Sequence, residues 1–202
     1  SRRQQGTINL VFTQHAFVPE KEWSYDNDVE TYEMRVHVFS AQQLRLQDSD
    51  GVNEVFVRAS MGSSTGRTMD GRSKPFTKTR SGPGPVWNQT LVFDDVQLMP
   101  PEWIQAGLSP RLVLTLWDRD TGSTPDFLAR CCISSAQIFE ASSKMDSYIA
   151  RESGQLGHPA RWYPLVEQDC ATRAGNVLLA FEICKSAEVG ERTWLDSTFS
   201  DK

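Results

Sequence analysis

Residues 112–127 read LVLTLWDRDTGSTPDF, and this stretch constrains the fold more than any other. Leu112, Leu114 and Leu116 alternate with Val113, Thr115 and Trp117, the two-residue period of a strand with one face in a core. The strand runs out at Asp118-Arg119-Asp120, and a loop of small residues leads on to Asp126. Carboxylates at i and i+2 on an extended backbone share one side, and the return of the loop can bring the third alongside. At ~4 Å two like charges repel by ~1 kcal/mol in water and ~4 kcal/mol at the effective dielectric of a partly buried site. Asp is also a common turn residue, so this cluster alone does not decide the matter. A second acidic loop, Leu46-Gln47-Asp48-Ser49-Asp50-Gly51-Val52-Asn53-Glu54, tips the balance toward a bound cation. A hard dication with oxygen ligands suits both loops, and Ca²⁺ tolerates irregular loop geometry better than Mg²⁺.

The rest of the chain repeats the strand pattern. TYEMRVHVFSAQQL places Tyr32, Met34, Val36 and Val38 on one face and Glu33, Arg35 and His37 on the other. EVFVRASM follows the acidic loop, and residues 62–73 are a Gly/Ser-rich hairpin connection expected to be flexible. KPFTKTR is expected as a strand carrying Lys74, Lys78 and Arg80, and WNQTLVF as the next one. PPEWIQAG predicts one helical turn, with Pro near its start, where a missing N–H costs nothing. Residues 127–133 form a further strand, and ARWYPL and NVLLAFEI close the set. Between them, residues 134–157 look like a largely mobile insertion with weak helical character over 136–141.

About eight short strands separated by turn signals, with helix only in the loops, imply an all-β fold: an antiparallel Greek-key β-sandwich. Residues 32–185 form the domain. Residues 1–31 are an extension in which Ile8–Val18 can add an edge strand or strap, and 186–202 are a linker or tail. Which terminus supplies one edge strand is left open by the sequence.

Composition excludes several classes. A hydrophobic fraction of 39% with 23% charged residues is that of a globular chain. A net charge of −5 argues against a general nucleic-acid binder. No apolar run approaches the ~20 residues of a membrane span, and the N-terminus lacks the features of a signal peptide. The chain starts at Ser1, as an excised piece does, so a membrane anchor is expected outside it. Cys131, Cys132, Cys170 and Cys184 show no zinc spacing and read as small buried hydrophobes in a reducing compartment. His15, His37 and His158 lie far apart with no nucleophile motif nearby, and no phosphate-cradling loop precedes a helix. An enzyme is not expected.

These stretches together resemble a C2 domain over residues 32–185. The marks are YEMRVHVFSAQQLRLQDSDG, GPVWNQTLVF, WDRDTGSTPDFLA, and ARWYPL with GNVLLAFEI; WNQTLVFDDVQL and GNVLLAFEICK are most similar to the fourth-type C2 domain of ferlins. The resemblance implies Ca²⁺ held by Asp48 and Glu54 from the first loop and by Asp118, Asp120 and Asp126 from the third. Backbone carbonyls near Gln47 and Arg119 complete that implied shell. One departure concerns the exit of the first loop. Asn53-Glu54-Val55-Phe56 stands where the family usually has Ser-Asp-Pro-Tyr. Glu is one methylene longer than Asp, and the missing Pro releases a fixed φ, so one ion is expected to survive there better than two.

The implied function is calcium-dependent binding of anionic phospholipid, chiefly phosphatidylserine, as one module of a ferlin-like vesicle-fusion protein at the cytoplasmic face of a membrane. Neighbouring C2 domains or fusion proteins are implied partners, and nucleic acid is not. The loop tips are polar apart from Val52, so docking is expected at headgroups rather than in hydrocarbon. Lys74, Lys78 and Arg80, at i, i+4 and i+6 of the expected strand, are candidates for a phosphoinositide headgroup patch, with a solvated strand face as the more ordinary reading. The competing reading is a calcium-independent module for protein interaction or structural packing.

Overall fold

The computed structural model describes residues 29–45, 54–69, 74–99, 104, 107, 109–119, 124–149, 160–191 and 194. The strands are β1 Glu30–Gln42, β2 Glu54–Met61, the short β3 Ser64–Thr65, β4 Arg67–Thr68 and β5 Arg80–Ser81, then β6 Val86–Leu98, β7 Arg111–Asp118, β8 Asp126–Ser134, β9 Arg161–Val166 and β10 Arg173–Lys185. A helix, α1, runs Ser135–Ile149, and a 3₁₀ turn spans Ser186–Glu191. Every strand pairing is antiparallel. The order is β3-β2-β7-β8-β9-β10-β1-β6-β4. Only Arg130 and Val166 pair between β8 and β9, and there the path divides into the two layers of a Greek-key β-sandwich.

Alternation in the sequence predicts the core well. Met34, Val36 and Val38 of β1, Val55, Val57 and Ala59 of β2, Leu112, Leu114 and Leu116 of β7, and Leu179 and Phe181 of β10 meet in one buried cluster. Between Val38 and Ser40 the register shifts in both of β1's pairings. This bulge reverses the parity of the strand, so Ala41 turns inward after Phe39 faces the other way. β1 has β10 on one side and β6 on the other; residues 8–18, the candidate for an added edge strand, lie outside the described residues. The β3–β4 turn crosses from one layer to the other at Gly66, where a Cβ would meet Phe93 at 2.6 Å. Glycine is required there by close approach. Within the stretch expected to be a flexible connection, Ser64–Thr65 pairs with β2 and Arg67–Thr68 with β6; residues 70–73 lie outside the described residues.

Three further expectations are corrected. Residues 74–79 are not regular strand: only Arg80–Ser81 pairs with β2. Pro75 removes a ladder donor, and the Thr77 hydroxyl instead accepts from the Val57 N–H at 2.9 Å. The stretch after β8 opens with a fifteen-residue helix, α1, and residues 150–157 lie outside the described residues. It begins with a capping box, in which the Ser134 N–H donates to Gln137 Oε1 at 3.0 Å and the Gln137 N–H donates back to Ser134 Oγ at 3.3 Å. Ile138, Ala141 and Ser142 form its buried face, and the Ile183 N–H of β10 donates to Ser142 Oγ at 2.9 Å. The four free cysteines divide evenly: Cys131 and Cys184 are buried, Cys132 and Cys170 exposed. As expected, Ile104 is helical. After β10 the chain turns back, and the Trp194 ring lies 3.8 Å from the Arg35 guanidinium. Among the described residues no helix is long and apolar enough to cross a membrane.

Candidate functional site

The two acidic loops meet at one end of the sandwich. β2 and β7 pair with Val55 opposite Asp118, which brings the exit of the first loop against the start of the third. The Glu54 N–H donates to Asp118 Oδ1 at 2.6 Å, across 64 residues of sequence. In return, the Arg119 N–H donates to the Glu54 carbonyl at 3.0 Å. Asp118 continues the inward face of Leu112, Leu114 and Leu116, so its carboxylate is buried at 2% exposure. Across β8, Asp126 is its register partner. Side chains directly opposite on antiparallel strands share a face, and like charges there destabilise. Asp126 is exposed, and so is the Glu54 side chain.

The loop between β5 and β6, residues 82–85 and here called the second loop, is tied to the same end. The Ala41 N–H donates to the Pro85 carbonyl at 3.0 Å and the Leu44 N–H to the Pro83 carbonyl at 3.3 Å. Val86, at the foot of this loop, is 52% exposed. Of the other sequence candidates, Gln47, Asp48 and Asp120 lie outside the described residues. Among the described residues no three His, Cys, Asp or Glu side chains come together as a metal-holding group. The donors that are placed do suit a hard cation. Asp118 presents a buried carboxylate whose Oδ2 is inaccessible to water, with Asp126 as its register partner across β8; carboxylate oxygens are the ligand type that Ca²⁺ takes.

The basic candidates lie beside β2. Lys74 and Lys78 are exposed, and the Lys78 N–H is held by Gln89 Oε1 at 2.6 Å. Arg80 Nε donates to the Val86 carbonyl at 3.0 Å, which ties this side chain to the second loop. Close by is an open groove of about 480 Å³ lined by Arg58, Ala59, Ser60, Thr65, Pro75 and Thr115. Its cation, Arg58, was missed in the sequence. The guanidinium sits 5.2 Å from the Phe56 ring, 5.8 Å from Phe76 and 5.3 Å from Trp117, close enough for ring faces to fix it. Alternation along EVFVRASM places Phe56 and Arg58 on one face, and that was the available signal. The rings contributed by residues 76 and 117 come from elsewhere in the chain.

One polar cluster lies away from this end. Glu182 is fully buried and His37 is 3% exposed. His37 Nε2 lies 2.6 Å from Glu182 Oε2 and Nδ1 lies 2.9 Å from Thr90 Oγ1. An ionised carboxylate only accepts, which puts a proton on Nε2 and leaves Nδ1 to accept from the Thr90 hydroxyl. Carboxylate, imidazole and hydroxyl in a row suggest a nucleophile relay, but Thr90 is only 7% exposed and cannot meet a substrate.

A family model described as "C2 domain" matches residues 32–149. Human myoferlin is 24% identical over 181 residues, covering 90% of this chain and 8% of its own length. Synaptotagmin-5 of Arabidopsis thaliana is 31% identical over 134 residues, 64% of this chain and 20% of that protein. This chain thus spans a small part of each relative. A C2 domain of a plant extended synaptotagmin 1 superimposes with a TM-score of 0.51 at 16% identity, covering 77% of this chain and 96% of that domain, a likeness of fold. With sandwich, loop placement and family model in agreement, the chain belongs to the C2 domain family, with a ferlin-type resemblance.

Proposed function

We propose that this chain docks on anionic phospholipid membranes when Ca²⁺ occupies the end where its first and third loops meet. The observation that carries the reading is the 2.6 Å bond from Glu54 to Asp118, because it joins two acidic loops distant in sequence. Asp118 and Asp126 supply oxygens from the third loop, with Asp120 beside them in sequence. Asp48 and Glu54 belong to the first loop, and the carbonyls near Gln47 and Arg119 complete the shell. Without metal this end repels anionic lipid. A bound dication reverses the local field, and headgroup oxygens of phosphatidylserine can join its coordination. The negative potential of a cytoplasmic leaflet favours the added positive charge. Family membership supports a lipid-binding module in general, and the myoferlin likeness supports a place in a multi-domain membrane-fusion protein. Weak docking by one such module gains strength when neighbouring C2 domains raise the effective concentration.

The groove beside Arg58, with Lys74 next to Pro75 on its rim and Lys78 and Arg80 further along, supports a second contact for a phosphoinositide headgroup. The calcium-independent reading is favoured by one observation. Glu54 faces solvent, where its longer side chain has not been drawn toward Asp118. A thermal melt of the whole chain with and without millimolar Ca²⁺ separates the two. A ligand that binds the native state alone raises the melting temperature, and flotation with phosphatidylserine vesicles should then require Ca²⁺. An unchanged melting curve would falsify the calcium reading and leave the interaction module.

A further inference from the structure

The main chain of Glu54 is gripped on both sides by the end of β7. Its N–H donates to Asp118 Oδ1 at 2.6 Å and its carbonyl accepts from the Arg119 N–H at 3.0 Å. The first of these is a charge-assisted bond from a neutral donor to a carboxylate, among the shorter and stronger kinds in proteins. It forms at a residue that is 2% exposed, where water competes little. The Glu54 side chain, by contrast, is exposed. The next residue is anchored as well: the indole Nε1–H of Trp87 donates to the Val55 carbonyl at 3.3 Å, and Trp87 is 1% exposed. Nothing in this arrangement needs a cation.

We infer that Asp118 is a positioning residue, latching the exit of the first loop to the third loop through the Glu54 N–H, so that Glu54 shapes this end by its backbone rather than by its carboxylate. The latch fixes the start of β2 against the end of β7 before any ion arrives. It also accounts for a chain that tolerates Glu for Asp and Val for Pro here, since a fixed main chain replaces the rigidity that Pro supplies. Any event at the third-loop carboxylates is thereby passed directly to the first loop. The inference rests on the same bond as the calcium reading but gives that bond a role that needs no ion, and its test is made without calcium.

Amide hydrogen exchange of the full chain in a chelator reads the latch residue by residue. The Glu54 amide should be protected in the parent. In Asp118→Ala it should exchange at least ~10-fold faster while amides around Ala59 in the same β2–β7 ladder keep their rates, which separates release of the latch from unfolding. Asp118→Asn retains an oxygen that can accept, so most protection should remain. Glu54→Ala keeps the backbone donor and should remain protected. Equal Glu54 exchange in the parent and in Asp118→Ala overturns the inference, as does loss of protection in Glu54→Ala with the ladder intact. A protected amide in a protein that shows no calcium response upholds the latch and refutes the calcium reading. Calcium binding with an unprotected Glu54 amide does the reverse.

Discussion

Two buried carboxylates in this molecule have opposite surroundings. Glu182 lies midway along β10 with no exposure, and His37 of the adjacent β1 meets it at 2.6 Å, backed by Thr90 of β6. Asp118 lies at the last position of β7 with 2% exposure, and a neutral backbone N–H meets it while Asp126 faces it across the register. A buried charge is costly unless paired. Around Glu182 the fold places a basic group within the sheet, sealed into three central strands. At Asp118 the register partner across β8 is a second acid, at the end of the sandwich where β2 begins and β7 ends. The first arrangement completes a sheet; the second ties the start of one strand to the end of another.

Substitution at the sealed pair should have the largest effect. Removing one partner of a buried pair typically costs ~3–5 kcal/mol, whereas replacing both with apolar groups of similar volume is often neutral. His37→Ala should therefore lower stability in chemical denaturation far more than the double change His37→Leu with Glu182→Met. If His37→Ala costs under ~1 kcal/mol, the pair is not what closes this face, and the contrast with Asp118 loses its basis.

An intermediate effect is expected at the loop end. Asp118→Asn should cost the calcium-free protein only ~1–3 kcal/mol, the range for weakening a single hydrogen bond to a buried group. It should nevertheless abolish the calcium-induced rise in melting temperature. Glu54→Gln should reduce that rise less. Should Glu54→Gln match Asp118→Asn, the Glu54 carboxylate is a full ligand and its exposure here does not persist when the ion binds.

The smallest effect concerns burial with no ionic partner. Burial, with a lesser contribution from Cys132, pushes the Cys131 thiol up from 9.0 to about 12. A raised folded-state value means that the native protein holds this proton more tightly than the unfolded chain. The stability this contributes is complete below about pH 9 and is lost as pH rises toward about 12. At pH 8, alkylating reagent should label Cys132 and Cys170 and spare Cys131, as mass spectrometry would read directly. Labelling of all three at one rate would mean that β8 opens readily beside Asp126.

Much of the fold was legible because alternation is local. A period of two names the inward face of β1, β2, β7 and β10 without reference to any partner, and the capping box Ser134–Gln137 was written in the sequence for a helix that polarity led us to underrate. What alternation cannot say is whether the outward face is also covered. By parity His37 shares its face with Glu33 and Arg35, yet it is buried. KPFTKTR looked like a strand by its alternating cations, yet Pro75 and the Thr77 hydroxyl decide otherwise.

The sequence by itself determined that this chain carries strands with one apolar face, two acidic loops following two of them, and a family resemblance over residues 32–185. Tertiary structure alone decided that those loops share an end, since the Glu54–Asp118 bond spans 64 residues and depends on β2 lying antiparallel to β7. It alone gathered Phe56, Phe76 and Trp117 around Arg58, and it alone supplied Glu182 with His37. The physical reason is the same in each case. Side-chain period is fixed by bonds between neighbours in sequence, whereas the partner of a buried charge is fixed by which strands pair, and strand pairing is set by the packing of the whole core.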